Sequence, residues 1–197
     1  MNTFDIGVRM ECDTLLHFPQ IDFPAGYAIR HYQPGDEAAW QHLHRIGDSL
    51  SKCEFNDALF VAQFGSDPEP LRSRMFYVTA PNGDSVGTIT AWFTDEVPAR
   101  GRIHWVIVHP EHRRRGLTKP MMTHAMRRLA QDHSLAMLDT SLGRPWAIKV
   151  YLDFGFHPTQ AAMADPLLRQ GWATLQEQLQ HPLLQQWLEQ GIDQVQG

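Results

Sequence analysis

The sequence predicts an α/β (α+β) fold: a mixed, mostly antiparallel twisted sheet with helices on both faces. Three observations carry that expectation. Residues 76–80 and 85–93 are strand-like runs joined by Pro81-Asn82-Gly83-Asp84, and Asn-Gly between such runs is a strong hairpin signal. Residues 103–108 form a further strand that stops at Pro110. Beyond it the pattern alternates helix, strand, helix, and meander strands followed by such crossovers place helices on both sides of one sheet.

Taken in order, residues 1–25 show no regular pattern, with Pro19 and Pro24 breaking any long element, and read as an N-terminal arm across the body. Residues 27–32 alternate as a first strand. Pro34-Gly35-Asp36 makes a turn in which Asp36 can cap a helix, and Trp40, Leu43, Ile46 and Leu50 follow at helical spacing. A second helical stretch covers 56–64, and the loop 65–68 leads to the hairpin. After the strand at 103–108, a helix from about Lys119 to His133 carries Met121, Met122, Ala125, Met126 and Leu129 on one side. A short strand at 135–139 precedes a helix from Pro145 to Phe154, closed by Gly155 as a left-handed cap. Leu168, Trp172, Leu175 and Leu179, then Leu183, Leu184, Trp187 and Leu188 beyond Pro182, predict two amphipathic C-terminal helices. The organisation read from this is an arm at 1–25, a central domain at 26–164 and a helical extension at 165–197. The extension offers a surface suited to packing on the domain or to a homodimer.

Composition bounds the function. An apolar fraction of 43% and a net charge of −5 describe an ordinary globular chain and argue against a general nucleic-acid coat. Cys12 and Cys53 form no disulfide framework, and the start Met1-Asn2-Thr3-Phe4-Asp5 has no secretory pattern. No run approaches the ~20 apolar residues of a membrane span. A cytoplasmic, reduced setting with no membrane and no nucleic-acid partner is the expectation. Eleven histidines raise a metal site, but their spacing matches no metal-binding pattern, so none is expected.

Against this acidic background Arg113, Arg114 and Arg115 are a local feature. They sit between a strand and a helix opening at Thr118. The first turn of a helix leaves N–H groups without intrahelical partners and carries partial positive charge. Gly116 lets the chain turn tightly and a phosphate approach closely, and Pro120 is tolerated in a first turn. The turn therefore suits a pyrophosphate. Neither Gly-x-x-x-x-Gly-Lys-Ser/Thr nor Gly-x-Gly-x-x-Gly is present, which argues against a P-loop and a Rossmann site. A surface turn of solvated arginines fits the same residues.

Val108-His109-Pro110-Glu111-His112-Arg113-Arg114-Arg115-Gly116-Leu117-Thr118 resembles the loop of the GNAT (Gcn5-related) N-acetyltransferases. That loop reads Gln/Arg-x-x-Gly-x-Gly/Ala after a strand ending Val-x-Pro. Thr118 stands where the family has Gly or Ala, and is also a good helix N-cap. A second family signature, a helix ending Tyr-x-x-x-Gly-Phe, is matched by Tyr151-Leu152-Asp153-Phe154-Gly155-Phe156, with Arg144 where Asn is frequent. The resemblance covers residues 27–163. It implies the acyl-CoA N-acyltransferase fold and acetyl-CoA as co-substrate. It also implies cofactor contacts from the main chain of Ile107 and Val108 and from Arg113, Arg114, Arg115, Gly116, Leu117, Thr118 and Lys119. A strand N–H would polarise the acetyl carbonyl.

The resemblance assigns Tyr151 as general acid toward the departing thiolate. His104 is the first candidate base, because an imidazole suits proton removal from an amine near neutral pH, and some aromatic-amine members carry a base histidine there. Strand alternation places it on the face of Val106 and Val108. Asp95, Glu96 and Asp139 are further candidates, as is a water chain. The expected activity is acetyl transfer to a primary amine of a small molecule or peptide. A non-catalytic acyl-CoA-binding module and an interaction protein using the C-terminal helices are the competing readings.

Overall fold

A computed structural model describes residues 6–95 and 99–193. The chain divides into two units, Gln20–Asp132 and Met1–Pro19 with His133–Gly197. In the first, β2 (Ala28–His31), β3 (Met75–Thr79), β4 (Ser85–Phe93) and β5 (Gly101–Val108) pair antiparallel in that order. The Asn82-Gly83 turn closes the β3–β4 hairpin: Gly83 takes φ +89°, and Ala80 N–H donates to Asp84 O at 2.9 Å.

Helices cover both faces of this sheet. On one lie α1 (Glu37–Gly47) and α2 (Asp57–Phe64), with α3 (Glu69–Arg74) following. Trp40, Leu43, Phe55, Phe60, Phe64 and Leu71 bury there against Tyr77 and Ile107. The other face holds α4 (Thr118–Leu129), whose Met121, Met122, Ala125, Met126 and Leu129 are buried at helical spacing. The placement follows from parity. A Cβ on Gly87 would point at Met121, whereas Ile107, paired with the neighbouring Thr88, points at Gly47.

Local chemistry refines several expectations. Asn56 caps α2, its Oδ1 accepting from Leu59 N–H at 2.9 Å. Asp36 precedes α1 but makes no side-chain cap bond; its carboxylate takes the Arg30 guanidinium at 2.6 and 2.8 Å and Gln33 N–H at 2.7 Å. Arginine offers a two-point charge-assisted contact that outcompetes a single cap N–H. Helix α3 lies where the sequence showed only the approach to a strand; Pro70 is tolerated because it falls in the first turn.

The second unit contains an element that the N-terminal pattern did not reveal. Gly7–Cys12 is strand β1, with Val8, Met10 and Cys12 buried in strict alternation. It pairs antiparallel with β6 (Ala136–Ser141) and with the two-residue β7 (His157–Pro158). The arm is thus a sheet strand over those residues. Helices α5 (Pro145–Asp153), α6 (Gln160–Ala164), α7 (Pro166–Leu179) and α8 (Pro182–Asp193) complete the unit. The two expected C-terminal helices are α7 and α8. Trp172 buries completely on α7, and Trp187 of α8 stacks on His157 with ring centroids 4.0 Å apart. None of the helices among the described residues is long and apolar enough to cross a membrane.

Gly47 sets how closely α1 approaches β5. A Cβ there would lie 2.8 Å from Ile107 Cγ1, inside normal contact distance. Overpacking of this kind costs about 1–3 kcal/mol. Gly47→Ala is therefore expected to lower Tm by roughly 2–12 °C by calorimetry, at 2–4 °C per kcal/mol for a chain of this size. An unchanged Tm would mean that Ile107 repacks freely.

Candidate functional site

The arginine loop is built from fixed points. His109 N–H donates to Val86 O at 2.8 Å, tying the end of β5 to β4. His109 Nδ1 accepts from Glu111 N–H and caps a 3-10 turn at Pro110–His112. Leu117 is buried and pins the far end. Between these anchors Arg114 (φ +59°) and Gly116 (φ +76°) adopt left-handed backbone. No atom lies within 4 Å of where a Gly116 Cβ would be, so the glycine serves its φ and leaves its outer side open. Left-handed backbone at 114 and 116 makes a tight turn of the kind in which main-chain N–H groups can face an anion. The first turn of α4 adds its own N–H groups, with Lys119 exposed beside them. Thr118 is the first helical residue. The N-cap position falls on Leu117, which makes no cap bond, so Thr118 does not cap as the sequence suggested.

The three arginines separate in role. Arg113 is turned inward: Nε donates to Val108 O at 3.3 Å, and the terminal nitrogen donates to Gly47 O. It straps α1 to the end of β5. Arg115 donates to Tyr27 Oη at 3.1 Å, and that hydroxyl lies 2.9 Å from His112 Nδ1. Among the described residues none pairs with the exposed Arg114.

β5 differs from a regular strand. Thr88 pairs with Ile107 and Thr90 with His104, so Trp105 and Val106 together oppose the single residue Ile89. This is a β-bulge, and Trp105 sits in it at φ +48°. The extra residue inverts the alternation. His104 shares the face of Ile107, toward α1 and α2, and not that of Val108 as plain alternation implied. Its Nε2 lies 3.0 Å from Gln63 Oε1, which also accepts from Trp105 Nε1 at 3.0 Å. Phe64 packs against its ring. Only 9% of His104 is exposed, and burial, with Arg102 and His44 adding cationic field, holds its pKa well below the usual histidine value. The imidazole is therefore neutral at neutral pH. Gln63 escaped the sequence reading, since a partner forty-one residues away leaves no local signal.

Of the other candidate bases, Asp95 is an exposed bend residue and Asp139 is engaged by Arg9 at 3.0 Å. Glu96 lies outside the described residues. Among the described residues no group of three His, Cys, Asp or Glu side chains could hold a metal.

In the second unit the Tyr151 signature has a structural explanation. Phe156 N–H donates to Tyr151 O at 3.0 Å, and Gly155 N–H donates to Leu152 O at 3.0 Å with Gly155 at φ +84°. These are the two bonds of a Schellman cap, and Phe156 meets the Tyr151 ring edge-on, the apolar contact that often accompanies the motif. The Gly-Phe pair therefore locks the last turn of α5 and with it the tyrosine. Tyr151 is 8% exposed, and burial pushes its pKa up to about 12 despite the opposing pull of Arg144. It is protonated throughout the neutral range and can act as a proton donor. Among the described residues no partner takes up its hydroxyl.

The family model described as "Acetyltransferase (GNAT) family" matches residues 37–156, more than half of the chain. No curated protein matches it by sequence. Among solved structures, a GCN5-related N-acetyltransferase from Sphaerobacter thermophilus aligns at TM-score 0.64 and 19% identity, over 79% of this chain and 49% of that one. A tandem GNAT protein from the clavulanic acid biosynthesis pathway aligns at TM-score 0.57 and 20% identity, over 79% and 50%. A putative GNAT-family acetyltransferase from Novosphingobium aromaticivorans gives 0.55 and 16%, over 78% and 59%. The chain thus spans about half the length of the structures it resembles, and at these identities the likeness establishes the fold. With the family model covering both the arginine loop and the Tyr151 signature, the chain belongs to the GNAT family of acetyltransferases.

Proposed function

We propose that the protein transfers an acetyl group from acetyl-CoA directly to a primary amine of a small molecule or peptide. The observation that carries this reading is the loop from Arg113 to Thr118. Its left-handed residues 114 and 116, open outer side and helix start form a cradle for a pyrophosphate. Arg114 and Lys119 would supply charge there, with N–H groups from residues 115–119 directed at the phosphate oxygens. The main chain of Ile107 and Val108 would hold the pantetheine arm. Acetyl-CoA contributes the activated thioester.

The acid and base follow from protonation state. His104, neutral, would accept a proton from the acceptor ammonium so that its nitrogen can attack the carbonyl. Tyr151, protonated, would give its hydroxyl proton to the sulfur as the C–S bond breaks. Burial thus leaves the acid protonated and the base unprotonated at neutral pH, the forms in which each can act.

Three outcomes are expected. Tyr151→Phe should cut thiol release from acetyl-CoA by ~10²-fold or more with CoA affinity unchanged by calorimetry. CoA binding without thiol release in the wild type, across a broad amine panel, would mark a binding module instead. Arg114→Glu should raise the CoA Kd by about tenfold or more, equivalent to ~1.4 kcal/mol, whereas Arg113→Gln should mainly lower Tm. Equal effects of the two on affinity would remove the separate roles.

The pH dependence has a definite sign. Because the His104 pKa is lowered, its base form persists as pH falls and is lost only on passing below the ordinary value of 6.5. The acid limb of kcat/KM should therefore lie below pH 6.5 and vanish in His104→Gln. A limb above 6.5 would assign the base elsewhere.

A further inference from the structure

The bulge brings together three side chains whose hydrogen-bonding capacities leave little freedom. Trp105 Nε1 is a donor and cannot accept. The Gln63 side-chain atom that it meets at 3.0 Å must therefore be the carbonyl oxygen, which settles the orientation of that amide. The same oxygen lies 3.0 Å from His104 Nε2. An oxygen that can only accept requires Nε2 to carry hydrogen. Since burial keeps the ring neutral, Nδ1 carries none, and among the described residues no hydrogen-bond partner stands against Nδ1.

We propose that Gln63 is a positioning residue that fixes His104 as the Nε2–H tautomer, leaving Nδ1 as its single proton-accepting nitrogen in acetyl transfer. This rests on the base role given to His104 above and goes beyond it, because it names the atom and the residue that selects it. The indole of Trp105 acts one step further out, orienting the amide that orients the imidazole.

The surroundings reinforce the assignment. Phe64 packs on the His104 ring from α2, and the Trp105 ring centroid lies 5.5 Å away. Thr90 is its cross-strand neighbour on β4 and is fully buried. The charged or titratable groups acting on it are Arg102 on β5 and His44 on α1, both of which disfavour the imidazolium. Among the described residues no carboxylate acts on His104, so the tautomer is selected by the neutral amide. A carboxylate in that place would select the same tautomer while favouring the charged ring. An alkyl group would select neither. This makes Gln63→Leu and Gln63→Glu an informative pair.

The test has two independent readouts. In the free protein, imidazole 15N shifts should report Nε2–H for His104, and Gln63→Leu should show a mixture of both tautomers. In turnover, acetyl-CoA is supplied with 2-phenylethylamine, lysine and spermidine as probe acceptors. Gln63→Leu should lower kcat about tenfold with KM for acetyl-CoA unchanged, since general-base contributions are of order 10²–10⁴ and only part is lost when the tautomer is freed. Gln63→Glu should restore most of the rate and move the acid limb of the pH profile upward. A merely structural glutamine would not produce that opposite pair of effects. An Nδ1–H signal in the wild type would overturn the tautomer assignment, whatever the activity. Normal rate and pH profile in Gln63→Leu would overturn the role of Gln63 while leaving the transferase reading intact. Absence of thiol release in the wild type would overturn the transferase reading together with the catalytic part of the proposal.

Discussion

The extra residue in β5 is the constraint from which the site in residues 20–132 follows. With Trp105 and Val106 facing the single Ile89, the strand cannot keep a two-residue period through its middle. Residues on either side of the bulge therefore face opposite ways from a regular count. Left-handed backbone at a tryptophan costs of order 1–3 kcal/mol and persists only where surrounding structure holds it. The hold here is visible. The indole donates to Gln63 and meets Trp40, His44 and Phe55 edge-on at centroid distances of 5.1 to 6.0 Å. Aromatic pairs of this geometry contribute ~0.5–1.5 kcal/mol each beyond buried area, enough together to offset the backbone strain.

Burial then decides the protonation states. For a base, desolvation disfavours the cation; for a phenol it disfavours the anion. The same physical effect therefore lowers the pKa of His104 and raises that of Tyr151, and each is left in the form that its proposed step requires. Neither needs a charged partner. That matters for the histidine in particular, since a carboxylate beside it would have opposed the shift, and the amide of Gln63 supplies an acceptor without adding charge.

Much of this was legible in the sequence, and the boundary is physical. The hairpin at Asn82-Gly83, the Asn56-capped helix and the helix end at Gly155-Phe156 are local, each decided by a residue's own backbone preference or a partner within a few positions. The tight turn at Gly116 is local in the same way. The face of His104 was not legible, because alternation assumes a regular strand and a bulge leaves no obligatory residue type behind. β1 did alternate, through Val8, Met10 and Cys12, but a single run of six residues carries a weak signal. Asp36 and Thr118 show a related limit. Both are good cap residues, yet a cap bond competes with everything else in reach, and for Asp36 the Arg30 guanidinium won.

The same limit explains why three consecutive arginines do not share one set of contacts. Composition sees three equal charges, but the backbone separates them. Arg113 precedes the left-handed residue and turns back, where its guanidinium spans the carbonyls of Val108 and Gly47. Arg115 follows it and reaches the Tyr27 hydroxyl. Arg114 itself, at φ +59°, is exposed and pairs with none of the described residues. A guanidinium that already donates to protein carbonyls keeps its charge but has fewer N–H groups to offer a phosphate, so it acts mainly through a field that solvent screens. A guanidinium without such commitments can make the two-point contact that gives arginine its affinity for phosphate. One arginine of the loop is thus committed to tying α1 to the end of β5, while Arg114, at the left-handed position, stays exposed.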